Sequence, residues 1–68
     1  MLKIFCNNNG HNVVLSKHKN GKYYYGTYNN EEGKIINCHC DEIDKETFEY
    51  LIDVYNYFNY DLIAEERG

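Results

Sequence analysis

Over roughly its first forty residues the chain alternates apolar and polar positions with a period of two; over the next twenty or so the period lengthens to that of a helix. Leu2, Ile4 and Cys6 precede Asn9-Gly10, Val13 and Leu15 follow it, and an aromatic run, Tyr23 to Tyr28, follows a second pair, Asn20-Gly21. Asn-Gly is favoured in two-residue type I′ hairpins because both central residues take positive φ. With two-residue loops at both pairs, Cys6 faces Val13 and Ile4 faces Leu15 across the first turn. Across the second, Val13 faces Tyr28, Leu15 faces Gly26 and Lys17 faces Tyr24. The two registers agree in placing Leu2, Ile4, Cys6, Val13, Leu15, Tyr24 and Tyr28 on one face. Lys3, Phe5, Val14, Ser16, His18, Tyr23, Tyr25 and Thr27 fall on the other. Gly26, in mid-strand, suggests a bulge or the close approach of a helix side chain. Asn29 to Gly33 form a third turn, and Lys34 to Cys40 a fourth strand.

Beyond Cys40, Phe48, Leu51, Ile52, Tyr55, Phe58 and Leu62 recur within an arc of about 120° on a helical wheel. Asp41 or Asp44 is a suitable N-cap, and acids crowd the first turns, where the helix dipole favours them. The helix is expected over residues 42–59, and residues 60–68 read either as a further turn or as a short closing strand. The expected fold is one α+β domain: an antiparallel β-meander of three to four strands in residues 1–40, packed on one C-terminal amphipathic helix.

Composition adds two constraints. A chain of 68 residues buries only about 60% of its unfolded surface, yet this one carries eight tyrosines and three phenylalanines. That is more aromatic area than so small a core can hold. The three cysteines are an odd number, and no apolar run is long enough for a signal-peptide core or a membrane span. The expectation is a cytoplasmic protein with reduced thiols and no membrane contact. Asn, Lys, Ile and Tyr supply 30 of the 68 residues, as expected of an AT-rich genome.

Charge is polarised along the chain. Residues 1–34 carry a net +3 and residues 35–68 a net −7, so the overall −4 belongs to the C-terminal half. Glu42, Glu46, Glu49 and Asp53, spaced by four, three and four, stack along the side of the helix opposite its apolar stripe, with Tyr50, Tyr57 and Tyr60 beside them. Such a stripe is either a solvated face or a surface for a basic partner, with tyrosines as anchors. It is sparser than one strand of duplex DNA, which carries a charge about every 3.4 Å, so any mimicry of nucleic acid is partial. A second candidate is the hairpin tip, where Lys17, Lys19 and Lys22 stand near Tyr23 and Tyr25. Lysines among aromatics suit single-stranded nucleic acid, but the negative net charge disfavours direct binding.

Cys6, Cys38, Cys40, His11, His18 and His39 include zinc-ligand types, but the spacing is wrong. Cys38-His39-Cys40 sends His39 to the opposite strand face from the two cysteines, and an open meander holds Cys6 and Cys38 about 14 Å apart. The cysteines read as small core residues, with no metal or other cofactor. The same alternation separates His39 from either thiol as a catalytic pair, so no catalytic residues are expected.

In size, charge and composition the chain is similar to short, acidic, tyrosine-rich proteins of phages and other mobile elements that inhibit host nucleic-acid enzymes, anti-CRISPR inhibitors among them. The likeness implies an inhibitor or adaptor. Its partner would be a basic host protein, such as a nuclease, met by Glu42, Glu46, Glu49, Asp53, Tyr50, Tyr57 and Tyr60. The alternatives are a nucleic-acid-binding module using Lys17, Lys19, Lys22, Tyr23 and Tyr25, or a structural homodimer joined through exposed aromatics.

Overall fold

A computed structural model describes residues 1–66, apart from the side chains of Asn37 and Cys38. Along the chain come β1 (Leu2–Asn8), β2 (His11–Lys17), β3 (Tyr23–Glu31), β4 (Lys34–Ile43), α1 (Lys45–Tyr57) and β5 (Asp61–Glu66). The strands form one antiparallel sheet in the order β4-β3-β2-β1-β5, curled into a half-barrel. The order of the first four strands is that of the expected meander, but β3 runs on through Asn29 and Asn30 to Glu31, inside the expected third turn, which shortens to Glu32-Gly33. The segment after the helix adds a fifth strand, which returns across the sheet to pair with β1 from Leu2↔Glu66 to Asn7↔Asp61.

The first hairpin has the expected type I′ turn, with Asn9 and Gly10 at φ 50° and 83°, and pairs Cys6 with Val13 and Ile4 with Leu15. The second hairpin departs from expectation by one residue. Its strands close through His18 and Lys22, with His18 N–H donating to Lys22 O at 2.9 Å and Gly21 N–H to His18 O at 3.0 Å. Lys19, Asn20 and Gly21 therefore form a three-residue loop in which only Gly21, at φ 83°, is left-handed. The Asn20 side chain accepts a hydrogen bond from Lys22 N–H at 2.9 Å and holds that form. The consequence is that Val13 faces Thr27, Leu15 faces Tyr25 and Lys17 faces Tyr23. Tyr23 and Tyr25 thus share the face of Ile4, Cys6, Val13 and Leu15, while Tyr24 and Tyr28 lie on the other, which reverses the expected assignment.

α1 is shorter than the expected 42–59. Asp41, Glu42 and Ile43 continue the ladder of β4 opposite Tyr25, Tyr24 and Tyr23, so Asp44 is the first residue free to cap a helix. Its carboxylate accepts from Thr47 N–H at 2.8 Å, and hydrogen bonding from Thr47, its side chain first and its backbone second, holds the carboxyl below the usual range. The helix stops at a Schellman motif. Asn59 takes φ 62°, Asn59 N–H donates to Asn56 O, and Tyr60 N–H donates to Tyr55 O at 3.0 Å. The apolar contact typical of that motif is the Tyr55–Tyr60 ring pair, 4.7 Å between centroids.

β2 lies at the middle of the sheet, and Val13, Val14, Leu15 and Ser16 are buried in succession, two to each face. On the helix side Cys6, Val13 and Leu15 pack beneath Phe48 and Tyr55, with Ile4, Tyr23, Tyr25, Leu51, Ile52 and Leu62 around them. On the other side Phe5, Val14 and Tyr28 form a second cluster with Cys40 against it; the curl of the sheet itself shields them. Phe58, placed in the apolar stripe by its spacing, is instead an exposed C-cap, because the helix turns away at Asn59.

Gly26 makes room for a neighbouring strand and not for a helix side chain, while the bulge that was the other expected reading lies just beyond it, between Thr27 and Asn29. A Cβ at this position would stand 1.8 Å from His39 O and 2.8 Å from Cys40 Cα. The atoms it meets are all backbone of β4 and not the end of a flexible side chain, so Gly26→Ala is expected to destabilise the domain by about 3 kcal/mol or more, through displacement of β4. Urea unfolding midpoints for wild type and Gly26→Ala check this; equal midpoints would contradict the close approach.

Candidate functional site

The outer face of α1 follows from the inner one. Phe48, Leu51, Ile52 and Tyr55 are held against the sheet, which turns Glu46, Glu49, Tyr50, Asp53 and Tyr57 outward. All five are exposed, Tyr50 to 66% and Tyr57 to 80%. Tyr57 meets the ring of exposed Phe58 edge-on at 5.1 Å, so the acidic face ends in an aromatic pair. Lys45 and Glu49 form an exposed ion pair at 3.8 Å, of the kind that contributes little in water. The last turn holds no base, although the dipole favours one there. The face is left strongly negative, and its own lysine does little to offset that.

Two of the seven residues read as partner-binding stand elsewhere. Glu42 belongs to β4, where the ladder outlasts the expected strand, and its carboxylate meets Lys22 Nζ at 3.4 Å. Tyr60 lies past the Schellman turn, its ring tilted against that of Tyr55, with its hydroxyl 2.5 Å from His11 Nδ1. It helps tie the first hairpin to the end of the helix, as does Asn8, whose side-chain amide donates to Phe58 O at 3.1 Å.

The lysine tip is likewise divided. Lys17, Lys19 and Lys22 are exposed around the loop, and Lys17 Nζ stands 5.8 Å from the Tyr23 ring centroid. Tyr23, however, packs on Phe48 at 4.8 Å, and the Tyr25 and Tyr55 hydroxyls are 3.2 Å apart beneath α1. Both rings are half-buried on the helix side of the sheet.

The sheet face away from α1 carries two depressions, which the residue pattern did not announce and which are together called the trough. One end is a depression of about 420 Å³ lined by Lys3, Val14, Ser16, His18, Tyr24 and Cys40, with the His18 and Tyr24 rings 4.5 Å apart. The other is a depression of about 280 Å³ bordered by Phe5, Tyr28, Ile35, Asp61, Ile63 and Glu65, where Phe5 meets Tyr28 edge-on at 5.2 Å. The signal that would have found it is the loop length at Asn20-Gly21, which decides whether Tyr24 and Tyr28 line this face.

Cys6 and Cys40 lie on opposite faces of the sheet, and the Cys38 side chain is outside the described residues. Among the described residues no three His, Cys, Asp or Glu side chains gather as a metal site, and no helix is long and apolar enough to cross a membrane. Burial pushes the Cys6 thiol from its ordinary 9.0 up to about 11. Burial, and then the hydrogen bond shared with Tyr25, raises the Tyr55 hydroxyl well above its usual range.

Both groups stay neutral in the fold at pH values where the unfolded chain ionises. The stability they contribute is complete below pH 9 and falls as pH rises from there toward about 11, Tyr55 extending the loss further. Denaturant titrations at stepped pH should show this decline. Cys6→Ala should flatten its first part while lowering stability at neutral pH by opening a cavity.

No protein-family model, no curated protein and no solved structure matches this chain.

Proposed function

We propose that this chain is a binding protein and not an enzyme: an inhibitor or adaptor that lays the outer face of α1 on a basic, nucleic-acid-binding surface of another protein. The observation that carries this reading is the pair of large aromatic side chains, Tyr50 and Tyr57, 66% and 80% exposed on either side of Asp53. The core does not use them, and leaving them in water serves no packing purpose. Tyrosines among charges are the usual anchors of a protein interface, where the ring supplies buried area and the hydroxyl keeps a polar contact.

The chemistry of the face names the partner. Glu46, Glu49 and Asp53 lie on one side of the helix with Lys45 alone nearby, so the attraction is for lysine or arginine. Long-range attraction speeds encounter, and the tyrosines then hold the contact after water leaves. A protein that presents a wide basic surface is most often one that handles nucleic acid, and covering that surface blocks the substrate. The compositional bias toward AT-rich codons and the small acidic chain support an origin in a phage or mobile element, with a defence nuclease or another host nucleic-acid enzyme as target.

Glu49→Lys combined with Asp53→Lys should weaken binding to a partner captured from host lysate by about a hundredfold or more, chiefly by slowing association. Circular dichroism and melting temperature should be unchanged, since both residues are exposed. A folded double variant that binds its partner with wild-type affinity defeats the proposal.

A further inference from the structure

We infer that the larger depression of the trough is a binding site for a small molecule that joins a flat ring to one carboxylate. The sheet itself makes the hollow. On the face away from α1 two neighbouring rows cross the strands from β4 to β1: Glu42, Tyr24, Ser16 and Lys3 in one, and Cys40, Gly26, Val14 and Phe5 in the other. The middle of these rows is short: Ser16, Val14 and Cys40 have small side chains and Gly26 has none. Tyr24, Lys3 and His18 stand around them. A floor of short side chains inside a rim of long ones leaves a depression, here of about 420 Å³, which is within the size range of small-molecule sites.

The loop that sets the register of β3 also builds the rim. His18 N–H donates to Lys22 O and His18 O accepts from Gly21 N–H, so the residue is pinned at both ends, and its ring lies 4.5 Å from that of Tyr24. The two rings form a wall against which a flat ring packs. The polar groups within the hollow are few, as a selective site requires. Ser16 is only 3% exposed. Its hydroxyl forms no hydrogen bond with any described residue, and it is left open to the depression instead of sealed beneath it. A hydroxyl so placed has lost most of its access to solvent, and a ligand oxygen that accepts from it restores the missing bond. Lys3, half-buried beside Ser16 in the same row, supplies the charge.

Two carboxylates share this face near Lys3, and neither forms an ion pair with it. Glu42 meets Lys22 Nζ at 3.4 Å. Glu65 stands opposite Lys3 in register, but it borders the smaller depression and has an interaction of its own. Among the described residues Lys3 forms no ion pair at all. One lysine and one hydroxyl match a single negative charge, which selects a carboxylate over a phosphate dianion. The net charge of −4 on the chain disfavours the dianion further. The site shares no residue with the outer face of α1, so this inference and the proposed function stand or fall separately.

The test titrates isotope-labelled protein with cinnamate, with its neutral counterpart cinnamamide, and with cyclohexanepropionate, which keeps the charge and loses the flat ring. Cinnamate is expected to bind at millimolar concentration or below and to shift the amides of Lys3, Ser16, His18 and Tyr24. Each of the other two should bind at least about tenfold more weakly. Lys3→Met should abolish the preference for acid over amide while keeping that for the flat ring, and Tyr24→Leu should do the reverse, a split that general loss of structure does not produce. Ser16→Ala, a nearly isosteric change, should weaken cinnamate about fivefold. Glu49→Lys with Asp53→Lys should leave all three affinities unchanged. No binding at millimolar cinnamate, shifts centred on another surface, equal binding of acid and amide, or full affinity in Lys3→Met or Ser16→Ala would each overturn the inference.

Discussion

The fold turns on the loop Lys19-Asn20-Gly21. Two backbone hydrogen bonds, a left-handed Gly21 and the Asn20 side chain on Lys22 N–H give that loop three residues where two would also close a hairpin. One residue of difference rotates every side chain of β3 to the opposite face. It places Tyr23 and Tyr25 beneath α1, where they meet Phe48 and Tyr55, and it sends Tyr24 and Tyr28 to the trough. The helix sits where it does because its inner face matches the tyrosines that this loop delivers. Its outer face, with Tyr50 and Tyr57, is fixed by the same choice.

A sheet of this size with one helix covers only one of its faces. The chain manages the other by curling, so that Phe5, Val14 and Tyr28 are buried without a second layer. Gly26 makes room for β4 to close in, since any Cβ there would collide with the His39 carbonyl. The result is a domain with two small cores back to back across β2. Its polar groups then collect at the margins: a carboxylate and tyrosine face on the helix, a lysine-bearing loop, and an acidic final strand.

Much of this was legible in the residues. Asn9-Gly10 fixed the first hairpin because both residues suit positive φ, and the apolar alternation around it agreed. The inner stripe from Phe48 to Tyr55 and the outward placement of Glu46, Glu49, Tyr50, Asp53 and Tyr57 followed from spacing alone, whereas spacing left the N-cap open between Asp41 and Asp44. The second hairpin was not legible, for a physical reason. Tyrosines occupy both faces of β3, so burial prefers neither register strongly, and Asn20-Gly21 suits a two-residue and a three-residue loop alike. The role of Tyr60 was hidden because Asn59 ends the helix in a conformation more often given to glycine. β5 was ambiguous because its alternation is short and its exposed positions are mixed, and its partner strand lies at the far end of the sequence. Glu42 was misplaced because the ladder of β4 outlasts the apolar alternation that announced it.

The pairing of β1 with β5 joins residues such as Ile4 and Ala64, almost the whole sequence apart. In time rather than space, this makes the last strand a gate on the first. As the chain leaves the ribosome, β1 can zip onto β2 within a few residues of synthesis, but its other edge waits until the helix and β5 have emerged. During that interval Ile4 and Cys6 lack the strand beside them, and the nascent sheet exposes an apolar edge. Contacts of such long sequence separation also slow folding, since loop closure must precede any gain from the pairing. Assembly of the half-barrel is therefore tied to the emergence of β5.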